Sequence, residues 1–294
     1  MTTAVIKPEA KARNRSLKQF LNHRAAVASA GVLILLIFTA VFAPWLAPYD
    51  PYDLAMTDTG MLEFEAPPSR TFLLGTDAIG RDVLSRLIFG GRISLTIGLV
   101  SASISILVGS ILGVLAGYLG HWTDLVLSRF ADAVSTFPAL FLILTVSSFV
   151  RPSIFNVMAV IGLLSWMPTF RLMRAEVLRL KQVDFIEGAQ ALGANNFRIM
   201  LLHLMPNAIA PIIVQATLGV AEAILTESAL SFLGLGVQQP IASWGNMLAD
   251  ARNMTVLQSQ PWLWLPPGLA IFVTVLAINF MGDGLRDAIN PRKG

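Results

Sequence analysis

Apolar residues in this 294-residue chain fall into long runs separated by polar stretches. Ala25 to Leu46 carries no charge, and at about 1.5 Å per residue a helix of that length crosses a hydrocarbon core of about 30 Å. The run is longer than the apolar part of a signal peptide and has no small-x-small site at its end, which predicts an uncleaved first span over 25–47. A polar excursion follows over 48–91, rich in Asp and Glu, with a turn expected at Gly75 and then a helix broken at Gly90-Gly91. Further spans are expected at 93–119, 131–150, 154–170, 208–235 and 263–281, with cytoplasmic tails at 1–24 and after 281. The pattern predicts an all-α polytopic membrane protein with six transmembrane helices.

Local chemistry marks several of these spans. In the second, Ser101, Ser105, Gly109, Gly113 and Gly117 recur every four residues, a stripe along which backbones can approach closely. Packing within the chain is the simpler use of it, and a partner subunit is the other. His121 to Asp132 reads as a cytoplasmic turn and lead-in helix, where Arg129 and Asp132 can pair at i, i+3. Pro138 is expected to kink the third span. Glu222 and Glu227 lie in the fifth, where a carboxyl is costly enough to count as a functional candidate, either in a substrate or proton path or as a hydrogen-bond acceptor holding a gate. Gly234, Gly236 and Pro240 should end that helix, and Trp244, Trp262 and Trp264 read as interfacial anchors.

Between the fourth and fifth spans lies a polar island, Asp184 to Asn207. Phe185, Ile186, Ala189 and Leu192 share one face of a short helix, and Gly193 is placed to end it in the left-handed conformation. Asn195 or Asn196 can cap a second helix carrying Phe197, Met200, Leu201 and Leu204, with Pro206 opening a new segment. Two short helices folded on each other form a knob projecting from the membrane.

Composition changes the picture in three ways. With 55% hydrophobic and 13% charged residues and a mean hydropathy of +0.67, the chain belongs in a bilayer, and a net charge of +3 gives no reason to expect nucleic acid. With both termini inside, the Lys and Arg residues divide fifteen inside to six outside, accounting for all 21; this satisfies the positive-inside rule and puts the knob in the cytoplasm. There is no cysteine, His23, His121 and His203 are scattered without metal spacing, and no G-x-x-x-x-G-K-[ST] phosphate loop occurs. Catalysis, a metal site and ATP binding by this chain are therefore not expected.

The knob resembles the EAA loop of membrane subunits of binding-protein-dependent ABC importers, in the version of dipeptide and oligopeptide permeases. The residues that carry this are Glu187-Gly188-Ala189, Gly193, Ile199 and Pro206-Asn207. Gly188 departs from the usual alanine, at about 1 kcal/mol of helix propensity. Three further stretches are similar in the same order: Leu74 to Leu95, Glu227 to Leu248, and the C-terminal NFMGDGLRDAINP. The resemblance implies a type I importer permease fold in a bacterial inner membrane. It also implies a second homologous permease, two ATP-binding subunits and an extracytoplasmic solute-binding protein. ATP and its magnesium would be held by those partners. Phe185, Glu187, Gly188, Ala189, Leu192, Gly193, Phe197 and Arg198 would couple this chain to the ATPases. Pro138, Glu222 and Glu227 are the gate or cavity candidates, and Gly109, Gly113 and Gly117 the packing positions. Peptide is the leading cargo, with nickel chelates, glutathione and oligosaccharides as alternatives. The rival reading is a proton-coupled carrier using Glu222 and Glu227, which leaves the knob without a task.

Overall fold

The computed structural model describes residues 20–56 and 62–289, so most of the basic N-terminal tail and Pro291, Arg292 and Lys293 lie outside the described residues. The described chain is helical, its extended pairing limited to two isolated bridges in the polar segment 48–91, Met56 with Leu62 and Thr76 with Asp82. In order the first elements are α1 (Arg24–Val41), α2 (Ala43–Leu46), α3 (Val83–Leu119), α4 (His121–Ser135), α5 (Ala139–Phe149), α6 (Ile154–Leu164) and α7 (Met167–Leu180). After these come α8 (Asp184–Ala191), α9 (Asn196–Arg198), a π-helical turn (Ile199–Leu204), α10 (Met205–Phe232), α11 (Trp244–Leu248), α12 (Met254–Ser259) and α13 (Pro261–Ile289). Four helices are long and apolar enough to cross a bilayer, and two bent pairs, α4 with α5 and α6 with α7, bring the number to six if each pair is one span.

The central helix is α3, which touches α1, α6, α7 and α10. Asp82 caps its start by accepting from the Ser85 amide at 2.7 Å, and Gly120, at φ +66°, ends it. Its small residues face inward. A Cβ on Gly109 would lie 2.7 Å from the Trp166 carbonyl oxygen, one on Gly113 2.8 Å from that of Phe170, and one on Gly117 3.0 Å from that of Arg174. The stripe is thus the seat of α7, and packing within the chain is its use. Ser101 and Ser105 continue the seam by donating to the carbonyls of Met158 and Ser165 at 3.1 and 2.8 Å. Because those obstacles are backbone atoms, Gly113→Ala is expected to cost about 1–3 kcal/mol through forced separation of α3 and α7. A lowered thermal midpoint of the detergent-purified protein would show it, with Gly219→Ala, whose nearest neighbour is Ala102 Cβ at 3.8 Å, unchanged as the control.

Several expectations are corrected. The helix does not break at Gly90-Gly91: α3 runs through both, and the missing side chains admit the Trp244 ring, which would stand 2.9 Å from a Cβ on Gly91. Trp244 itself is 3% exposed and donates from Nε1 to the Leu87 carbonyl, so it is a core residue rather than an interfacial anchor. Pro138 does not kink a continuous third span; it caps α5 after a complete break, and the two helices meet at 87°. The helix itself runs on past the expected limit at Phe170: after a 42° bend α7 carries the buried seam of Met173, Val177 and Leu180 beyond Arg171 and Arg174. Asp132 pairs with Arg171 across to α7 at 3.2 Å rather than with Arg129. Pro206 opens a new segment as expected: it sits in the first turn of α10, where the π turn gives way to α-helix, a position that tolerates proline.

Candidate functional site

Three regions gather the polar and exposed chemistry. The first is the knob. Its first helix ends as expected: Gly193 takes φ +80°, its amide donates to Gln190 O at 2.9 Å, and the Ala194 amide donates to Ala189 O at 3.0 Å, the paired bonds that satisfy a helix's last carbonyls. Asn195 caps the next turn through the Arg198 amide at 2.8 Å. That second helix is no separate element, because α9 and the π turn run straight into α10, so one arm of the knob is the root of a long helix.

Ile186 and Ile199, fully buried, bind the knob to Val114, Tyr118, Val177 and Leu180 at the ends of α3 and α7. Tyr118 adds a hydroxyl bond to Asn196 at 3.0 Å, and Lys181 donates to the Tyr118 carbonyl at 2.9 Å. The other face is open: Leu192 is 91% exposed, Phe197 66% and Phe185 41%, with Glu187 and Arg198 exposed beside them. Three large apolar side chains are thus left uncovered on an anchored projection. Nothing lies within 4 Å of a Cβ on Gly188, so that departure does not reflect crowding within the chain.

The second region is a polar stripe on α10. Asn207, Gln215, Glu222 and Thr226 fall on one face, over roughly 28 Å at 1.5 Å per residue, close to the thickness of a hydrocarbon core. Recesses follow this face. One of about 570 Å³ is lined by Arg179, Asn207, Gln215 and Arg286; a small one joins Gln215 and Glu222 to Ser101, Ser105 and Thr169. Another, of about 470 Å³, opens where both bent helix pairs break and is lined by Pro138, Ser165, Arg171, Glu222 and Thr226. Glu222 and Pro138, expected as cavity candidates, thus lie together. Gln215 and Thr169 escaped the sequence reading, although Gln215 stands seven residues before Glu222, the two-turn spacing of one helical face.

Glu227 is elsewhere. Five residues on from Glu222, it points into the protein, is 0% exposed, and accepts from the hydroxyls of Ser231 at 2.7 Å, Ser243 at 2.9 Å and Ser94 at 3.2 Å. The two glutamates do not form a relay. Glu227 is the hydrogen-bond anchor that the alternative anticipated.

The third region is the polar segment before α3. Asp77, Arg81 and Asp82, to which the sequence assigned no chemistry, are buried, and Arg81 pairs with Asp77 at 2.8 Å. Arg86 reaches the same carboxylate at 3.3 Å, and Arg81 also donates to Gln239 Oε1 at 2.9 Å, tying the segment to the connection after α10. Asp250 faces this network from the turn after α11; burial, with the Asp77 carboxylate adding to it, pushes its carboxyl up to about 6.

A frame of four to six membrane-length helices, a polar face the height of a bilayer and an exposed apolar knob together describe a multi-pass membrane protein. The chain belongs to the family described as binding-protein-dependent transport system inner membrane component, whose model matches residues 109–294, and residues 14–68 match the N-terminal TM domain of oligopeptide transport permease C. It is 41% identical over 278 residues to a putative peptide permease protein of Brucella suis biovar 1, covering 95% of this chain and 90% of that one. It is 42% identical over 279 residues to the di/tripeptide transport system permease protein DppC of Pseudomonas aeruginosa, covering 94% and 90%. Among solved structures, a chain of the MetNI methionine ABC transporter in inward-facing conformations matches with a TM-score of 0.55 at 17% identity, over 70% of this chain and 96% of that one, a likeness of fold.

Proposed function

We propose that this chain is one of two permease subunits of an ATP-driven importer of di- and oligopeptides, with both termini and the knob in the cytoplasm. The observation that carries the reading is the knob, an exposed apolar tip on an arm continuous with α10 and buried against the ends of α3 and α7. An ATPase subunit gripping Phe185, Leu192 and Phe197 would move α10, and with it the polar stripe, as one lever. Alternating access follows if the two arrangements of the permease pair favour different states of the ATPase pair, because nucleotide shifts the equilibrium only through that difference. Peptide as cargo rests on the relatives named for peptide transport, delivered by an extracytoplasmic binding protein.

The test is purification of the complex from its own membranes, followed by uptake into proteoliposomes. Co-purification of two ATP-hydrolysing chains and a second permease is expected, with uptake of dipeptide loaded on the binding protein only when ATP is supplied. Uptake driven by a proton gradient without ATP would overturn the reading in favour of the carrier.

A further inference from the structure

We propose that Glu222 is the intramembrane binding group for a cationic side chain of the cargo, in the first instance the lysyl ammonium of a peptide; this rests on the importer reading above. The recess it lines is built for a cation. Arg171, the other charged residue there, is engaged by Asp132 at 3.2 Å and by the Ser135 hydroxyl at 3.0 Å. Glu222 is exposed, and among the described residues no side chain hydrogen-bonds or ion-pairs with its carboxyl, leaving the recess one carboxyl in excess. The helices that end at the recess, α4 at Ser135 and α6 beside Ser165, present C-termini, the ends that favour positive charge. Pro138 and Pro168, in the opening turns of the helices beyond the breaks, each remove one N–H from the helix starts at the edge of the recess.

A carboxyl at membrane depth facing hydrocarbon would be costly, and Glu222 instead has the polar side chains of Ser101, Ser105, Thr169 and Gln215 beside it, around a space the size of a water molecule. Broken helices whose C-terminal ends converge on a midplane recess are where carriers hold cations. Glu227, one and a half turns away, is saturated by three serines and contributes nothing to the recess.

The experiment uses the whole complex in proteoliposomes with the binding protein preloaded to saturation, so that its own specificity does not enter. Initial rates are compared for Ala-Lys-Ala, trialanine and Ala-Glu-Ala. The native complex is expected to favour the lysyl over the glutamyl peptide by about tenfold; Glu222→Gln brings that ratio near one, and Glu222→Lys inverts it. Moving the carboxyl one turn along the same recess, in Glu222→Gln/Thr226→Glu, restores the preference. A structural role would lower all three rates together and would not be rescued. An unchanged ratio in assembled Glu222→Lys complex overturns the proposal. So does loss of the second permease from both Glu222→Gln and Glu222→Asp preparations, which would make the residue a subunit contact. If the native complex carries none of the three peptides, it is the cargo reading that fails, and this inference with it.

Discussion

Leu192→Asp is expected to release the ATP-hydrolysing subunits from the purified complex and to lower ATP-driven uptake by at least thirtyfold. Leu192 stands at the turn ending α8, with 91% of its surface in solvent, so replacing it removes almost no packing from this chain. Its value lies in what it enters. Truncating an apolar anchor at the centre of an interface costs about 2 kcal/mol or more, and at 1.4 kcal/mol per tenfold that is roughly thirtyfold in affinity before the cost of burying the aspartate is added. The contrast that isolates coupling from folding is Ile186→Asp. Ile186 is fully buried against α3 and α7 six residues earlier, and a charge there should destroy the knob and lower the yield of the chain itself. Leu192→Asp protein recovered at native yield, with native thermal behaviour and no ATPase chains, is the expected result. Retained ATPase subunits and full uptake would show that the partner grips another surface.

The knob was legible because its signals are local. Gly193 needs a left-handed backbone and Asn195 needs a free N–H three residues on, and both are stated by the residues next to them. The six apolar runs were legible for the same reason. What was not legible depended on partners distant in the chain. Gly90-Gly91 reads as a helix breaker until Trp244, more than 150 residues later, fills the space the two glycines leave. Trp244 in turn reads as an interfacial anchor until its ring is found buried against them. The break at Pro138 exceeds the expected kink, with a second break at Ser165 lining the same recess, and the proline alone announces only the loss of one hydrogen bond. Glu222 and Glu227 look alike in sequence. Five residues turn one of them about 140° from the other on a helix, which sends one to the open recess and the other into the protein.

That separation sets the second large effect. Glu227→Ala is expected to destabilise the end of the protein that holds α11 by about 3–5 kcal/mol, since each buried donor left without its partner costs about 1–3 kcal/mol. Each serine that donates to Glu227 also accepts a backbone amide: Ser94 that of Trp244 at 3.1 Å, Ser231 that of Val237 at 2.9 Å, and Ser243 that of Asn246 at 3.1 Å. The carboxyl is therefore the end of three short chains that fix the connection after α10 and the start of α11 against α3. Alanine leaves three buried hydroxyl protons without an acceptor. Glutamine keeps a carbonyl oxygen for Ser231 and Ser243, which share Oε1, and fails only Ser94, at a net cost of about 0.5–1.5 kcal/mol for one hydrogen bond. Because the chain has no cysteine, a single Met247→Cys on α11, at a site 5% exposed, reports opening of this end directly. Thiol labelling there should be slow in the native background, faster by up to tenfold with Glu227→Gln, and faster by a hundredfold or more with Glu227→Ala, since about 3 kcal/mol of local opening corresponds to that factor. Equal labelling rates in all three would mean that apolar burial of Trp244 and Met247 alone holds α11 down and that the serine chains add nothing to it.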